Sequence, residues 1–263
     1  MTLGFVGAGA ITSAIVTGLH ASDTPPSRII LSPRNAETAS ALAARFPAVL
    51  VAASNQDVLD QCDTVVLAVR PQVAASVFEQ LRFMPSHQVI SVVATFSIDR
   101  LRRLLSPAQS ITRAIPLPSA AQRQSLTALY PADKSAFGLF QLVGPAFTVD
   151  TEDQFNALGA ASSAVASYFA FADSLATWLA RRGLAAMGAR NYVASILPSL
   201  RDEAEHQPDL GFRSMAVAHA TPGGLNEQIL KQLEAHGVFD TISDALDQVM
   251  LRVIQPSRGT GDQ

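Results

Sequence analysis

The residues best suited to chemistry form a glycine-rich turn close to the start of the chain. A short apolar run at residues 3–6 leads into Gly7 and Gly9, and a helical pattern of apolar residues begins at Ile11. Glycines between a strand and a helix let the backbone approach a pyrophosphate, whose charge the helix N-terminus attracts. Thr12 stands in the place of the third glycine of the dinucleotide fingerprint, where a small residue suffices for packing. The stretch predicts a dinucleotide site, with a plain glycine-rich turn as the alternative, and its candidate residues are Gly7, Ala8, Gly9, Ala10 and Ile11.

The end of the second predicted strand indicates which dinucleotide would bind. Domains that bind NAD place an acidic side chain there, which accepts a hydrogen bond from the ribose 2′-hydroxyl. This chain instead has Ser32, Arg34 and Asn35 after the strand. An arginine can make charge-assisted hydrogen bonds to a 2′-phosphate, so NADP is the predicted cofactor. Two alternatives stay open: Glu37 could serve NAD, and Arg34 could be a solvated loop residue.

A second group of candidates lies at residues 219–227, between two predicted helices. Pro222, Gly223 and Gly224 end one helix and begin the next with bare backbone. Free N–H groups at a helix N-terminus can hold a carboxylate, although a simple helix–helix turn is the alternative. His219 directly precedes this loop and is the histidine best placed for a function. The alternative is a histidine at a helix C-terminus that only interacts with the helix dipole.

The elements that must position these residues follow from the apolar patterns. Strands and helices alternate over about the first 150 residues, which predicts an α/β Rossmann-type fold with a doubly wound parallel sheet. The predicted strands cover residues 3–7, 28–31, 49–52, 64–69, 88–93 and 110–115, the helices cover 9–21, 36–46, 55–61, 73–82 and 97–105, and residues 125–130 and 138–143 complete the alternation. Ligands lie outside the carboxyl ends of such strands, which here carry Gly7, Gly9, Ser32, residues 68–72, Ala94 and residues 113–116.

No strand pattern remains after about residue 150. Helical patterns cover residues 152–182, 186–205, 208–219, 223–236 and 238–255. The predicted organisation is an NADP-binding Rossmann domain over residues 1–150 and an all-helical C-terminal domain over residues 151–255 for substrate binding and dimerisation. The polar residues 256–263 predict a disordered tail.

The composition of the 263-residue chain excludes several classes of protein. Its formal net charge of −3 gives no reason to expect a nucleic-acid partner. The single cysteine, Cys62, rules out an internal disulfide framework and a cysteine-based metal cluster, and no metal site is predicted. The longest apolar region, residues 164–180, is interrupted by Ser167, Asp173 and Ser174, so no membrane span is predicted. The N-terminus shows no signal-peptide pattern, and we expect a cytoplasmic protein.

The low charge of the chain indicates association. Charged residues make up 16% of the sequence, against about 25% in ordinary globular proteins. The aromatic run at residues 168–171 and Trp178 are typical of a core or a subunit interface. We therefore expect a homo-oligomer.

Taken together, the motifs resemble those of the pyrroline-5-carboxylate reductase family over nearly the whole chain. Residues 4–9 are similar to the opening motif of the family, and residues 67–72, Leu-Ala-Val-Arg-Pro-Gln, resemble its L-A-V-K-P-Q. Residues 113–116 resemble its R-x-M-P, and residues 221–224, Thr-Pro-Gly-Gly, resemble its S-P-G-G. The family reduces a cyclic imine acid to proline with NADPH, so the resemblance implies an oxidoreductase that acts on a C=N bond.

The resemblance also implies roles for individual residues. Ser32, Arg34 and Asn35 fall where the family reads the NADP phosphate, and Asn55 falls at an adenosine-side position. The residues along the nicotinamide half would be Ala68, Val69, Arg70 and Pro71. The substrate carboxylate would meet backbone amides of a loop formed by Thr221, Gly223, Gly224, Leu225 and Asn226, with Thr221 and Asn226 as the catalytic candidates. Helical domains of two subunits interlock in the family, which implies a homodimer or a higher homo-oligomer through this half.

The chain departs from the family mainly in its substrate motifs. After R-x-M-P the family has Asn-Thr-Pro, where this chain has Leu117, Pro118 and Ser119. After S-P-G-G the family has Thr-Thr, whose second threonine can bond the ring nitrogen, and this chain has Leu225 and Asn226. The implied reaction is NADPH-dependent hydride transfer to a cyclic imine acid, foremost 1-pyrroline-5-carboxylate to L-proline, with proline biosynthesis as the role.

Two alternatives to this reaction stay open. A related reductase could act on another imine or on a carbonyl acid, as the β-hydroxyacid dehydrogenases do with a catalytic lysine. Lys134 and Lys231 are the only lysines in the sequence, and neither lies in such a helical motif. The other alternative is a non-catalytic dinucleotide-binding protein, because Leu117 and Asn226 alter the substrate motifs.

Overall fold

The computed structural model describes residues 2–254, and the tail predicted at residues 256–263 lies outside this range. Within it the chain forms two units, one from residues 2–159 with 250–254 and one from residues 160–249. The first unit contains the β-sheet, and the second is helical.

One sheet of eight strands organises the first unit: β1 (Thr2–Val6), β2 (Arg28–Leu31), β3 (Val49–Val51), β4 (Thr64–Leu67), β5 (Gln88–Ser91), β6 (Ser110–Ile115), β7 (Thr127–Tyr130) and β8 (Ala146–Thr148). The strand order is β3-β2-β1-β4-β5-β6-β7-β8, and every neighbouring pair is parallel except β6 and β7. The order reverses between β1 and β4, which is the switch point at which doubly wound sheets bind their ligands. The predicted Rossmann-type sheet is confirmed.

Helices cover both faces of this sheet: α1 (Ala10–His20), α2 (Ala36–Arg45), α3 (Asn55–Gln61), α4 (Pro71–Glu79), α5 (Ile98–Leu104) and α6 (Lys134–Gln141). Successive side chains of a strand point to opposite faces. Accordingly Val66 of β4 packs into one apolar core, while Val65 and Leu67 pack into another. All four residues of β4 are buried, as a central parallel strand requires.

The antiparallel strand β7 follows from the short connection before it. Residues 116–126 join β6 to β7 and contain only a 3-10 helix, Pro118–Gln122. A parallel neighbour needs a crossover of about a dozen residues or more, usually with an α-helix, so this chain turns back beside β6 instead. Residues 138–143, which complete the predicted alternation, lie in α6 and in the turn after it, and β8 is the last strand.

The remainder of the described chain is helical, as predicted: α7 (Glu152–Ser162), α8 (Val165–Arg181), α9 (Ala186–His206), α10 (Phe212–His219), α11 (Leu225–Ala235) and α12 (Val238–Ile254). The single helix predicted over residues 152–182 is two helices, because a turn separates α7 from α8. Ser163 Oγ donates a hydrogen bond to the Ala160 carbonyl there (2.6 Å), a local bond that competes with helical pairing. Within residues 2–254 no helix has the length and apolar character needed to cross a membrane.

Large apolar side chains are exposed on the helical unit. Helices α8, α10 and α11 contain no buried residue, and Phe212 and Leu225 are 80% and 83% exposed. Monomeric proteins rarely expose contiguous apolar patches larger than a few hundred Å². Apolar exposure of this extent is typical of a surface that a partner covers.

Gly18 provides a test of the packing around the sheet. A Cβ at this position of α1 would overlap the backbone carbonyl oxygen of Ala120, so the 3-10 helix can contact α1 only because residue 18 has no side chain. We expect Gly18→Ala to lower the free energy of unfolding in urea by about 1–3 kcal/mol, the usual cost of overpacking. The matched control is Gly138→Ala in α6, where a Cβ would meet nothing within 4 Å and alanine should stabilise the helix. Equal stabilities of the two variants would contradict the close contact.

Candidate functional site

Gly7 and Gly9 form the turn between β1 and α1, at the carboxyl edge of the sheet. Gly7 has a φ of +106°, which favours glycine, and a Cβ there would lie 2.5 Å from the Ala68 carbonyl oxygen. Gly9 is the N-cap residue of α1, and a Cβ on it would meet nothing within 4 Å. The turn is therefore packed against β4 at Gly7 and open at Gly9.

The N-terminus of α1 is available to an anion. No side chain caps it, and its first turn contains no acidic residue. Its free N–H groups and the positive end of its dipole favour a phosphate group. Of the other predicted residues of this turn, Ala8 is buried, Ile11 is half-buried and Ala10 is exposed. The geometry fits the pyrophosphate of a dinucleotide.

Three polar side chains hold the backbone of this turn in place. Thr12 Oγ1 donates to the Gly7 carbonyl (2.7 Å), and the Gly7 N–H donates to Ser32 Oγ (2.8 Å). Asn35 Nδ2 donates to the Ala8 carbonyl (2.9 Å). Sequence reasoning missed these contacts, because it treated Thr12 as a packing residue and gave Ser32 and Asn35 only to the phosphate. The signal available was a run of short polar side chains at the end of the strand that neighbours β1.

Two cations lie at the same edge of the sheet. Arg34 follows β2, is exposed, and makes no hydrogen bond or ion pair with any residue in the range 2–254. Arg70 follows β4, is exposed, and is the N-cap residue of α4, which begins with Pro71. Ala68 and Val69 beside it are half-buried, as is Asn55 at the start of α3. The structure thus brings the predicted cofactor residues to the ends of β1, β2 and β4 and to the start of α3.

The second group of candidate residues, 219–227, contains a tight turn between α10 and α11, in the helical unit. Gly223 has a φ of +74°, and the Gly224 N–H donates to the Thr221 carbonyl (2.8 Å), which closes the turn. A Cβ on Gly224 would lie 2.5 Å from Thr221 Oγ1. Leu225 and Asn226 begin α11 and are exposed, as is Thr221. Glycine is therefore required at both positions by the turn itself.

One backbone donor of this turn already holds a carboxylate from the chain itself. The Gly223 N–H donates to Glu227 Oε2 (2.8 Å), and Lys231 Nζ donates to Glu227 Oε1 (2.7 Å). Those bonds, to Lys231 first and to Gly223 second, lower the pKa of Glu227 below its usual range. The N–H groups of Leu225 and Asn226 have no hydrogen-bond partner in the described part of the chain. A bound carboxylate would thus meet these two donors rather than those of the glycines.

His219 and Glu203 brace the same turn. Glu203 Oε2 in α9 lies 2.9 Å from His219 Nε2, at the end of α10, and Asn226 Nδ2 donates to the His219 carbonyl (3.2 Å). Sequence reasoning singled out His219 and missed Glu203, which stands on the preceding helix. Among residues 2–254 no group of three or more His, Cys, Asp and Glu side chains is arranged to hold a metal ion.

Two family models match different parts of the chain. The model described as NADP oxidoreductase coenzyme F420-dependent matches residues 2–95. The model described as pyrroline-5-carboxylate reductase dimerisation matches residues 152–255.

Individual relatives agree with these models along the whole chain. The pyrroline-5-carboxylate reductase of Pseudomonas aeruginosa is 26% identical over 95% of this chain and 94% of its own. Pyrroline-5-carboxylate reductase 3 of Macaca fascicularis is 29% identical over 97% of this chain and 96% of its own.

Two solved structures also align with nearly the whole chain. The 1-pyrroline-5-carboxylate reductase of Streptococcus pyogenes aligns with a TM-score of 0.82 at 26% identity, covering 96% of this chain and 98% of its own. The Plasmodium falciparum pyrroline carboxylate reductase with NADP bound aligns with a TM-score of 0.81 at 18% identity, covering 96% of this chain and 97% of its own, and is similar in fold.

The pKa of the Glu227 carboxyl should lie below its usual range, because the ionised form accepts hydrogen bonds from Lys231 and from the Gly223 N–H. Because the pKa of Glu227 is lower in the folded state than in the unfolded state, its ionised form stabilises the fold. This contribution is fully present above the unfolded-state pKa and is lost as the pH falls through the folded-state pKa. We expect Lys231→Met to raise the pKa of Glu227, measured by carboxyl-carbon NMR titration. Lys134→Met, which removes the other lysine of the chain, is the matched control and should leave it unchanged. A Glu227 pKa that is insensitive to Lys231→Met would contradict this geometry.

Proposed function

We propose that this chain, which is similar to pyrroline-5-carboxylate reductases over nearly its whole length, reduces a cyclic imine acid with NADPH, foremost 1-pyrroline-5-carboxylate to L-proline. The observation that carries the proposal is the uncapped N-terminus of α1 beside the open Gly9, together with Arg34 after β2, which has no partner among residues 2–254. These two features suit a pyrophosphate and a 2′-phosphate. In this proposal the NADPH residues lie in a domain over residues 1–150.

The cofactor is supported by the chemistry of the donors at the sheet edge. The pyrophosphate would meet the N–H groups that follow Gly9, and the 2′-phosphate would meet the Arg34 guanidinium. Arg34 replaces the acidic residue that an NAD-binding domain would have, and Glu37 of α2 is exposed nearby in sequence. Ala68, Val69, Arg70 and Pro71 would line the nicotinamide half. When bound, the reduced nicotinamide supplies a hydride to the C=N carbon.

The substrate residues of this proposal belong to the turn between α10 and α11. The free N–H groups of Leu225 and Asn226 suit the substrate carboxylate, and the side chains of Asn226 and Thr221 are the candidates for contact with the ring nitrogen. Because a protonated imine is already electrophilic, the protein needs to orient the reactants and exclude water rather than supply a strong acid. A loop that offers backbone N–H groups, the Asn226 amide and the Thr221 hydroxyl meets this requirement.

Assembly is part of the proposal, because the helical half exposes so much apolar surface. A homodimer or higher homo-oligomer through residues 151–255 would cover side chains such as Phe212 and Leu225, and the dimerisation model that matches this half supports it. We further propose a cytoplasmic protein that acts in proline biosynthesis.

The direct test is NADPH oxidation by the purified protein with 1-pyrroline-5-carboxylate, run beside NADH and a six-membered cyclic imine acid. We expect turnover with the five-membered acid and a preference for NADPH. Arg34→Ala should raise the KM for NADPH by about tenfold or more, the loss of a charge-assisted contact, and leave the KM for NADH unchanged.

The matched control for this test is Arg45→Ala, at the other end of α2. It should change neither KM. NADPH binding without reduction of any imine would contradict the reductase proposal, and an equal rise of both KM values in Arg34→Ala would contradict only the assignment of Arg34.

Asn226→Thr tests the substrate residues. The substitution places a hydroxyl where the family has one, and a gained hydrogen bond to the ring nitrogen is worth about 1 kcal/mol. We expect kcat/KM for 1-pyrroline-5-carboxylate to rise about fivefold, with no gain in Asn191→Thr, an exposed position of α9. An unchanged or lower kcat/KM in Asn226→Thr would favour another acceptor.

A further inference from the structure

The buried Arg113 and the half-buried Glu152 form an ion pair near the carboxyl ends of β5 and β6, which the proposed function does not use. Arg113 of β6 stands beside Ser91 of β5 and is 2% exposed. Its Nη1 donates to Glu152 Oε1 (2.7 Å) and to Asn156 Oδ1 (2.9 Å), both on α7. The guanidinium also lies over the ring of Phe155, at 4.4 Å from the ring centroid. Helix α7 thus holds the guanidinium with two hydrogen bonds and one cation–π contact.

The same carboxylate also fixes the start of α5. The Ile98 N–H donates to Glu152 Oε1 (2.7 Å), so one oxygen joins β6, α5 and α7. Burial lowers the pKa of Arg113, and the charge of Glu152 opposes that shift. Because an unpaired buried charge is strongly destabilising, the two residues are required together.

The other amino group of Arg113 reaches the loop after β5. Nη2 donates to the Ala94 carbonyl (2.9 Å), and Ala94 itself is exposed. In a trans peptide the C=O and the following N–H point in opposite directions. The bond that draws the Ala94 oxygen inward therefore turns the Thr95 N–H outward. Nowhere in residues 2–254 does this N–H find a hydrogen-bond acceptor.

We propose that Arg113 is a positioning residue for the nicotinamide half of the cofactor, acting through the Ala94–Thr95 peptide. The inference rests on the proposed use of NADPH. In a doubly wound sheet the dinucleotide crosses the switch point between β1 and β4. Arg34 marks the β2 side for the adenosine half, which leaves the loops after β4 and β5 to the nicotinamide half. The Thr95 N–H is the donor that Arg113 presents at that edge.

Comparison of two ligands tests this role without relying on turnover. NADPH contains the nicotinamide half, whereas adenosine 2′,5′-bisphosphate contains only the other half. Arg113→Lys keeps a charge beside Glu152 but loses the planar fork that reaches three acceptors. By isothermal titration calorimetry we expect the Kd of NADPH to rise about tenfold, roughly the value of one hydrogen bond, and the Kd of adenosine 2′,5′-bisphosphate to stay unchanged.

The matched control weakens hydrogen bonds at the opposite ends of β5 and β6, where these strands begin. Asp133 accepts hydrogen bonds from Gln88 Nε2 (2.7 Å) and Ser110 Oγ (3.4 Å), the first residues of β5 and β6. Asp133→Asn should lower the Tm and leave the ratio of the two Kd values unchanged. If Arg113→Lys does not yield folded protein, Asn156→Ala removes one anchor of Arg113 and should give a smaller loss that is again selective for NADPH.

Any of the following results would contradict the positioning role of Arg113. An equal loss of both ligands in the Arg113 or Asn156 variant, no loss of either ligand, or the same selective loss in Asp133→Asn would mean that the cluster only stabilises the fold. A wild-type protein that binds both ligands with the same Kd would overturn this inference and leave NADP binding intact. A wild-type protein that binds neither would overturn the proposed cofactor, and this inference with it.

Discussion

The arrangement of the sheet edge depends on the missing side chain at Gly7. The backbone of Gly7 packs against the carbonyl of Ala68, which follows β4, and its N–H donates to Ser32, which follows β2 on the other side. Any Cβ would push the end of β4 away from β1. Because the turn is held from both sides, the start of α1 has a fixed place at the switch point. The position of this helix N-terminus is thus a consequence of strand order and of one glycine.

Charged side chains hold the loop of the helical unit in addition to its own tight turn. Glu227 occupies the Gly223 N–H and is balanced by Lys231, while Glu203 is paired with His219. A carboxylate that approached the free N–H groups of Leu225 and Asn226 would come near the charge of Glu227. Lys231 offsets that charge, so the loop can present donors to an anion although it already contains one.

Local patterns in the sequence were sufficient to predict most helices and strands, because glycine spacing and apolar periodicity can be recognised within a few residues. They predicted the turn at Gly7, the central strand β4 and the helical second half. They did not predict the contacts of Arg113 with Glu152 or of His219 with Glu203, because these pairs are 39 and 16 residues apart and depend on tertiary packing.

The antiparallel direction of β7 was also not predicted from the sequence. A strand pattern gives no direction, and only the length of the preceding connection decides whether the chain can cross over.

Two of the residues that differ from the family motifs, Leu225 and Asn226, are only weakly constrained by the fold. Leu225 and Asn226 are exposed, and within residues 2–254 the one side-chain hydrogen bond of Asn226 goes to a backbone carbonyl. Arg113, by contrast, is buried and bonded to three partners, so a change there would disturb α5 and α7 together. A chain with this distribution of constraints can change the residues proposed to meet its acceptor without altering the framework proposed to hold its hydride donor. Divergence in the loop between α10 and α11 is therefore physically compatible with the same class of reaction.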